Sequence, residues 1–200
     1  MYLTRFSVLH NRIGLSWVSN PYRVHQRLCM AYANDQRLLF RIEPGSLQTT
    51  ILVQSNNEPD WKTAFQDLEV LNREPEIKVF DPVLRSGAQY RFRLLANPIV
   101  TREGKRLGLL REEEQHDWIK RQMEKAGATL LGCQLTSNGL QRCTKNPQKD
   151  KATQTHASVL FDGVINVQDP DMLVHALSNG IGPAKGYGFG LISIAAFSGG

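Results

Sequence analysis

The order of extended and helical segments constrains this chain more than any other feature of its sequence. Tyr2 to Val8 is short, β-rich and partly alternating, the pattern of a strand. Asn20-Pro21 then supplies a helix start, a capping side chain followed by proline at the first helical position. The spacing predicts a helix over Tyr22 to Ala33, with Tyr22, Leu28, Cys29 and Tyr32 as its apolar positions. Leu38 to Ile42 and Thr50 to Gln54 read as strands, separated by the Glu43-Pro44-Gly45-Ser46 turn. Pro59-Asp60 leads into a weak helix over Trp61 to Leu71, and Ile77 to Phe80 is a last strand before Asp81-Pro82. The order is β-α-β-β-α-β.

The second half repeats that order less cleanly. Tyr90 to Ala96 alternates as a strand and Asn97-Pro98 breaks it. Arg111 to Ala126 is a strong helix, with Trp118, Ile119, Met123 and Ala126 on one side and Glu112 to Glu114 at its positive end. Leu130 to Leu135 and Leu140 to Cys143 read as short strands around a Ser137-Asn138-Gly139 turn. Val159 to Val167 follows, broken at Asp162-Gly163; a helix runs from Asp169-Pro170 to about Leu177; Tyr187 to Ala195 is a final strand. The fold class expected is therefore α+β, two tandem ferredoxin-like domains joined near residues 82–89. The boundaries are 1–85 and 86–200, and the 200 residues suit two domains of about 100 each.

Charge is distributed unevenly between these halves. Residues 1–84 hold nine Lys+Arg and nine Asp+Glu, residues 85–151 net +7, and residues 152–200 net −2. A concentrated central excess is the sign of a face for a polyanion, though a solvated basic surface has the same composition. Cys29, Cys133 and Cys143 are scattered, with no CxxC pair and no Cys/His cluster at zinc spacing, so no metal cofactor is expected. The first eight residues are too short and polar for a signal peptide, and no apolar run approaches the roughly 20 residues needed to span a bilayer. These features point to a cytoplasmic protein with reduced thiols and no membrane partner.

Three groups of residues carry candidate chemistry. Ser178 to Leu191 (SNGIGPAKGYGFGL) holds Gly180, Gly182, Gly186, Gly188 and Gly190 around Lys185. Glycines let backbone N–H groups approach a phosphate, and the lysine adds a point charge. The segment follows a helix and opens a strand, the reverse of a dinucleotide fingerprint, and tight packing between the two elements would also require glycines. Tyr22 and His25 are three residues apart near a helix start and share a face, the arrangement of a phenol beside a proton-transferring imidazole, although a lone histidine there is commonly structural. Lys120 and Arg121 lie on the second domain's first helix, and Arg142, Lys145, Lys149 and Lys151 follow on a hairpin-like excursion. Basic residues so grouped suit the phosphates of a duplex stem. The dispersed Asp and Glu residues give no two-metal nuclease site.

Taken together, these motifs resemble the CasE family of CRISPR repeat-processing endoribonucleases, subunits of the Cascade complex. The resemblance rests on MYLTRF at 1–6, NPYRVHQRL at 20–28, RFRLLANP at 91–98, WIKRQMEKAGA at 118–128, LFDGVINVQDP at 160–170 and GIGPAKGYGFGLISIA at 180–195. It implies two RRM-related ferredoxin-like domains and metal-independent cleavage of precursor CRISPR RNA at the 3′ base of the repeat stem-loop. It further implies attack by the upstream 2′-hydroxyl, a 2′,3′-cyclic phosphate product, and retention of that product with other Cascade subunits as partners. His25 matches the family's catalytic histidine and Tyr22 its tyrosine. RNA binding is then expected at Lys120, Arg121, Arg142, Lys145, Lys149, Lys151, Gly180, Gly182, Lys185, Gly186 and Gly188. Some relatives carry a basic residue one turn beyond the histidine; here Cys29 and Met30 hold that turn, leaving Arg23 or Arg27 as the nearby cation. The alternative reading is a non-catalytic RNA-binding subunit of the same ribonucleoprotein.

Overall fold

Alternation along β1 (Tyr2–Val8) builds the first sheet. Thr4, Phe6 and Val8 are buried on one face, and antiparallel pairing sets Phe6 opposite Ile51 and Thr4 opposite Val53. The computed structural model describes residues 1–33, 37–144 and 153–197. In chain order β1 is followed by α1 (Arg12–Val18), α2 (Pro21–Cys29), β2 (Leu38–Glu43), β3 (Thr49–Ser55), α3 (Trp61–Phe65) and β4 (Glu76–Val79). Then come β5 (Gln89–Ala96), β6 (Ile99–Arg102), β7 (Lys105–Gly108), α4 (Glu112–Lys125), β8 (Ala128–Thr144), β9 (Thr153–Val167), α5 (Pro170–Asn179) and β10 (Ile192–Ala196), with a 3-10 turn at Lys185–Tyr187.

The two four-stranded sheets run β2-β3-β1-β4 and β10-β5-β9-β8. Each has its first and third strands at the centre and its second and fourth at the edges, so the fold is tandem ferredoxin-like. By compactness the first unit comprises Met1–Asp81, a return beginning at Cys143, and Gly186–Gly188; the second holds Pro82–Arg142, Thr155–Lys185 and the chain from Phe189 onward. In the first unit Phe6, Val24, Leu28, Phe40, Ile51, Ala64 and Val70 have no exposed surface. Truncating a phenylalanine such as Phe6 there costs about 3–5 kcal/mol. In the second unit Trp118 stacks on Phe161 with ring centroids 5.9 Å apart, over fully buried Leu94, Ile119, Met123 and Ile165. No helix among the described residues is long and apolar enough to cross a membrane.

Several elements differ from expectation for identifiable reasons. Helix α1 carries Ile13 and Leu15 on its exposed side and buries only Gly14 and Trp17, so no amphipathic stripe announces it. Helix α2 stops at Cys29 rather than Ala33 because Met30, Ala31 and Tyr32 donate to carbonyls three residues back, which tightens the last turn. Helix α3 is a single turn rather than Trp61 to Leu71. Beyond it the chain turns extended beside β1: Leu9 N–H donates to Val70 O at 2.7 Å and Asn72 N–H to Ser7 O at 2.7 Å.

In the second unit Asn97-Pro98 leads into an unforeseen hairpin, β6–β7, reversed by Glu103 and Gly104 at φ 51° and 74°, a type I′ pattern. Strand β8 passes unbroken through Ser137-Asn138-Gly139, where a turn was expected. Strand β9 is likewise continuous through Asp162-Gly163: a Cβ at position 163 would meet the Gly132 carbonyl oxygen at 2.3 Å, so glycine there permits close strand contact. Strand β10 begins at Ile192, not Tyr187, because Lys185–Tyr187 forms a 3-10 turn and Gly188 and Gly190 follow at left-handed φ values of 86° and 91°.

Candidate active site

The site residues are held by the cap and the core face of α2. Asn20 accepts hydrogen bonds from the backbone N–H of Tyr22 (3.1 Å) and Arg23 (3.4 Å), and Pro21 occupies the first turn. Val24 and Leu28, both fully buried, fix the rotation of the helix against the first core. At about 100° per residue, that rotation leaves Tyr22, His25 and Cys29 together along one half-buried flank.

Aromatic rings frame the imidazole. Tyr22 lies nearly parallel to His25, with centroids 6.4 Å apart and planes at 16°. Phe40 of β2 stands 6.0 Å from His25, and Tyr187 stands 5.8 Å from Tyr22. Burial, and then the neighbouring Cys143 and Tyr22 groups, push the Tyr187 hydroxyl above its ordinary pKa, so it stays protonated as a donor. The Cys29 sulfur is 3.8 Å from each ring nitrogen of His25. The row Tyr187, Tyr22, His25, Phe40 therefore presents an imidazole between aromatic rings. Phe40 and Tyr187 had no sequence signal of their own: each is one aromatic in a region read as strand.

The glycine-rich segment divides. Gly186 and Gly188 belong to the first unit; an ideal Cβ on Gly186 would stand 3.7–3.9 Å from Nε2, Cδ2 and Cε1 of His25. Gly188 holds φ 86° and lies against the Phe40 ring, where a Cβ would approach to 3.2 Å. Gly180, Gly182 and Lys185 belong to the second unit. Gly180 closes α5, its N–H donating to Ala176 O at 2.8 Å, and Gly182 packs on Trp118. Packing alone thus accounts for several of these glycines, and the close approach to His25 concerns Gly186.

The basic residues separate into engaged and unengaged sets. Lys120 and Arg121 on α4 and Arg142 on β8 are exposed and make no ion pair among the described residues. Lys145, Lys149 and Lys151 lie outside the described residues. Arg27 does not serve as a cation beside His25: it donates to Ala64 O (2.9 Å) and pairs with Asp67 (2.5 Å), whose carboxyl it holds below the usual carboxylate range. Arg23 is exposed on the other flank of α2. Sequence reading missed Arg12 as its companion. The available signal was the complete absence of Asp and Glu from residues 1–33, hidden when charge was summed over residues 1–84. No group of three or more His, Cys, Asp or Glu placed to hold a metal occurs among the described residues.

Comparison with known proteins gives the chain as a whole its relatives. Residues 1–196 match the family described as CRISPR associated protein. The chain is 34% identical over 216 aligned positions to the CRISPR-associated endoribonuclease Cse3 of Thermus thermophilus, covering 98% of this chain and 100% of that one. It is 27% identical to the CRISPR system Cascade subunit CasE of Escherichia coli K12, covering 92% and 96% of the two chains. A solved structure of the CRISPR endoribonuclease Cse3 bound to a 19-nucleotide RNA superposes with a TM-score of 0.86 at 31% identity, over 98% of this chain and 100% of that chain.

Proposed function

Since the chain belongs to the CasE family of CRISPR-associated proteins, we propose that it is the endoribonuclease that cuts precursor CRISPR RNA at the 3′ base of the repeat stem-loop. The observation that carries this reading is the Tyr22–His25 pair, set parallel on the half-buried flank of α2 with Phe40 and Gly186 beside the imidazole. The RNA brings its own nucleophile. The 2′-hydroxyl upstream of the scissile phosphate attacks phosphorus, forming a P–O2′ bond as the P–O5′ bond breaks. The products are a 2′,3′-cyclic phosphate and a 5′-hydroxyl.

The reaction moves two protons, one from the 2′-hydroxyl and one to the departing O5′. An imidazole and a phenol 6.4 Å apart, centroid to centroid, are spaced to serve opposite sides of one phosphate. Positioned proton transfer of this kind contributes about 10²- to 10⁴-fold each. The remaining acceleration comes from alignment of the 2′-oxygen with the leaving oxygen in a rigidly held stem. Lys120, Arg121 and Arg142, exposed on α4 and β8, are assigned to the stem phosphates, with Lys145, Lys149 and Lys151 continuing the same basic run. Lys185, Gly180 and Gly182 are assigned to the RNA backbone, with Gly186 and Gly188 lining the catalytic side. The product stays bound, and the protein joins other Cascade subunits. We assign this work to the cytoplasm.

The test is incubation with end-labelled repeat RNA, with and without EDTA, followed by mapping of product ends. A cyclic phosphate at the 3′ base of the stem, formed equally with chelator, is the expected result. Tight binding with no cut would identify a non-catalytic RNA-binding subunit.

A further inference from the structure

A groove of about 480 Å³ in the first unit is lined by Arg12, Ile13, Ser16 and Trp17 of α1, Arg23 of α2, and Leu68. Its charge is unusual for this protein. Residues 1–33 contain four arginines and no Asp or Glu. Two of the four are neutralised: Arg5 by Glu76 and Arg27 by Asp67. The other two, Arg12 and Arg23, have no acidic partner among the described residues, and both line this groove. Beside them Ile13 leaves 60% of its surface in water, while Trp17 closes the floor. Two unpaired guanidinium groups flanking an apolar floor match one ligand chemistry, a phosphate joined to a flat base. Guanidinium forks take phosphate oxygens in pairs, and bases stack on apolar and aromatic side chains.

We infer that this groove holds the single-stranded RNA immediately 3′ of the scissile phosphate, with Arg12 and Arg23 on its phosphates. The inference rests on the reading of Tyr22 and His25 as the cutting site. Arg23 adjoins Tyr22 in sequence and lies on the flank of α2 opposite His25, so a strand that crosses the exposed face of the helix from the imidazole passes Tyr22 and reaches Arg23. Because the stem is assigned to basic residues of the second unit, the segment left for these first-unit cations is the one downstream of the cut. An acidic protein segment is the competing occupant. It is disfavoured because one of the two cations, Arg23, is carried by the same helix as the proposed site of RNA chemistry.

The experiment uses the full chain and a repeat stem-loop carrying a 2′-deoxy sugar at the cleavage position, which removes the nucleophile. One RNA ends at the cleavage position and the other continues for several unpaired nucleotides. The wild type is expected to bind the extended RNA about 10-fold more tightly, and Arg12→Gln with Arg23→Gln to erase that gain while binding the blunt stem-loop as before. For the extended RNA the slope of log affinity against log salt should fall by about 1.4, about 0.7 for each single-strand phosphate released. A retained gain in the double variant overturns the inference. Equal weakening of both RNAs overturns it too, because it reports general electrostatics. A retained gain together with lost assembly into a Cascade particle assigns the groove to a protein. Cleavage of the unmodified stem-loop by the wild type is scored separately. If that fails while the flank effect holds, the catalytic reading falls and the groove assignment stands.

Discussion

Gly186 faces His25 so closely that a methyl group added to it would stand 3.7 Å from Nε2. That is ordinary van der Waals contact, so alanine fits, but any larger side chain occupies the space beside the ring. A size series follows. Gly186→Ala should cleave repeat RNA at close to the wild-type rate. Gly186→Val and Gly186→Leu should lose on the order of 100-fold, the scale of a small misplacement of a reacting group, with melting temperature nearly unchanged. Single-turnover cleavage beside a thermal melt separates these outcomes. A fully active Gly186→Leu would show that the reacting phosphate does not lie on this side of the imidazole.

Substitutions at the proposed catalytic pair should affect chemistry and spare binding. His25→Ala is expected to reduce cleavage by about 10³-fold, within the range for a lost proton-transfer group, and to leave stem-loop affinity within about twofold. Tyr22→Phe keeps the ring that packs 5.8 Å from Tyr187 and removes only the hydroxyl, so its loss should be about 10²-fold at unchanged affinity. If the phenylalanine variant cuts normally, the phenol moves no proton. Rates and gel-shift affinities measured on the same preparations decide this.

The exposed pair on α4 addresses binding alone. Replacing Lys120 and Arg121 with glutamine should weaken stem-loop binding and lower the salt slope by nearly 2, at about 0.9 per duplex phosphate contact. The cleavage rate of saturated complex should be preserved. An unchanged slope would mean that the stem lies elsewhere.

His156 provides a pH dependence unrelated to catalysis. Asn97 is oriented by its Oδ1, which accepts the Ala157 N–H at 3.0 Å, so its Nδ2 faces His156 Nδ1 at 3.1 Å. That nitrogen must therefore accept, which requires it to carry no proton. Burial also lowers the pKa of His156 below the ordinary 6.5. The sign is that of a depressed group: its contribution is present above pH 6.5 and is lost as pH falls from there through the lowered folded-state value. Thermal melts between pH 7.5 and 5.5 should show the wild type losing stability on acidification. His156→Gln, which keeps an acceptor for Asn97, should lose less. Parallel pH profiles would remove His156 from this account.

The elements that the sequence declared most clearly were those in which local chemistry and tertiary packing agree. Asn20-Pro21 and Asp169-Pro170 start α2 and α5, with side chains that accept from N–H groups of the first turn. Trp118, Ile119 and Met123 are all buried on α4. The misreadings arose where tertiary contacts overrode a local signal. Ser137-Asn138-Gly139 carries turn residues, and Gly139 does take a φ of 74°, but pairing in the second sheet carries β8 through them without a reversal. Trp61 to Leu71 has helical spacing, but the edge of β1 draws Val70 and Asn72 into extended hydrogen bonding. Within the candidate site, Tyr22 and His25 were legible because they share one helix face. Phe40 was not, and Gly186 was read as an RNA-binding glycine but not as a neighbour of His25, since both contacts with the imidazole are made by the fold.

Gly186–Gly188 is far from residues 1–81 in sequence yet completes the unit that begins at Met1. The backbone beside His25 therefore comes from a segment that the first unit's own continuous stretch does not contain. Residues 1–81 on their own carry the histidine and tyrosine without that wall. Cut out as a fragment, they are expected to lack one side of the proposed phosphate site.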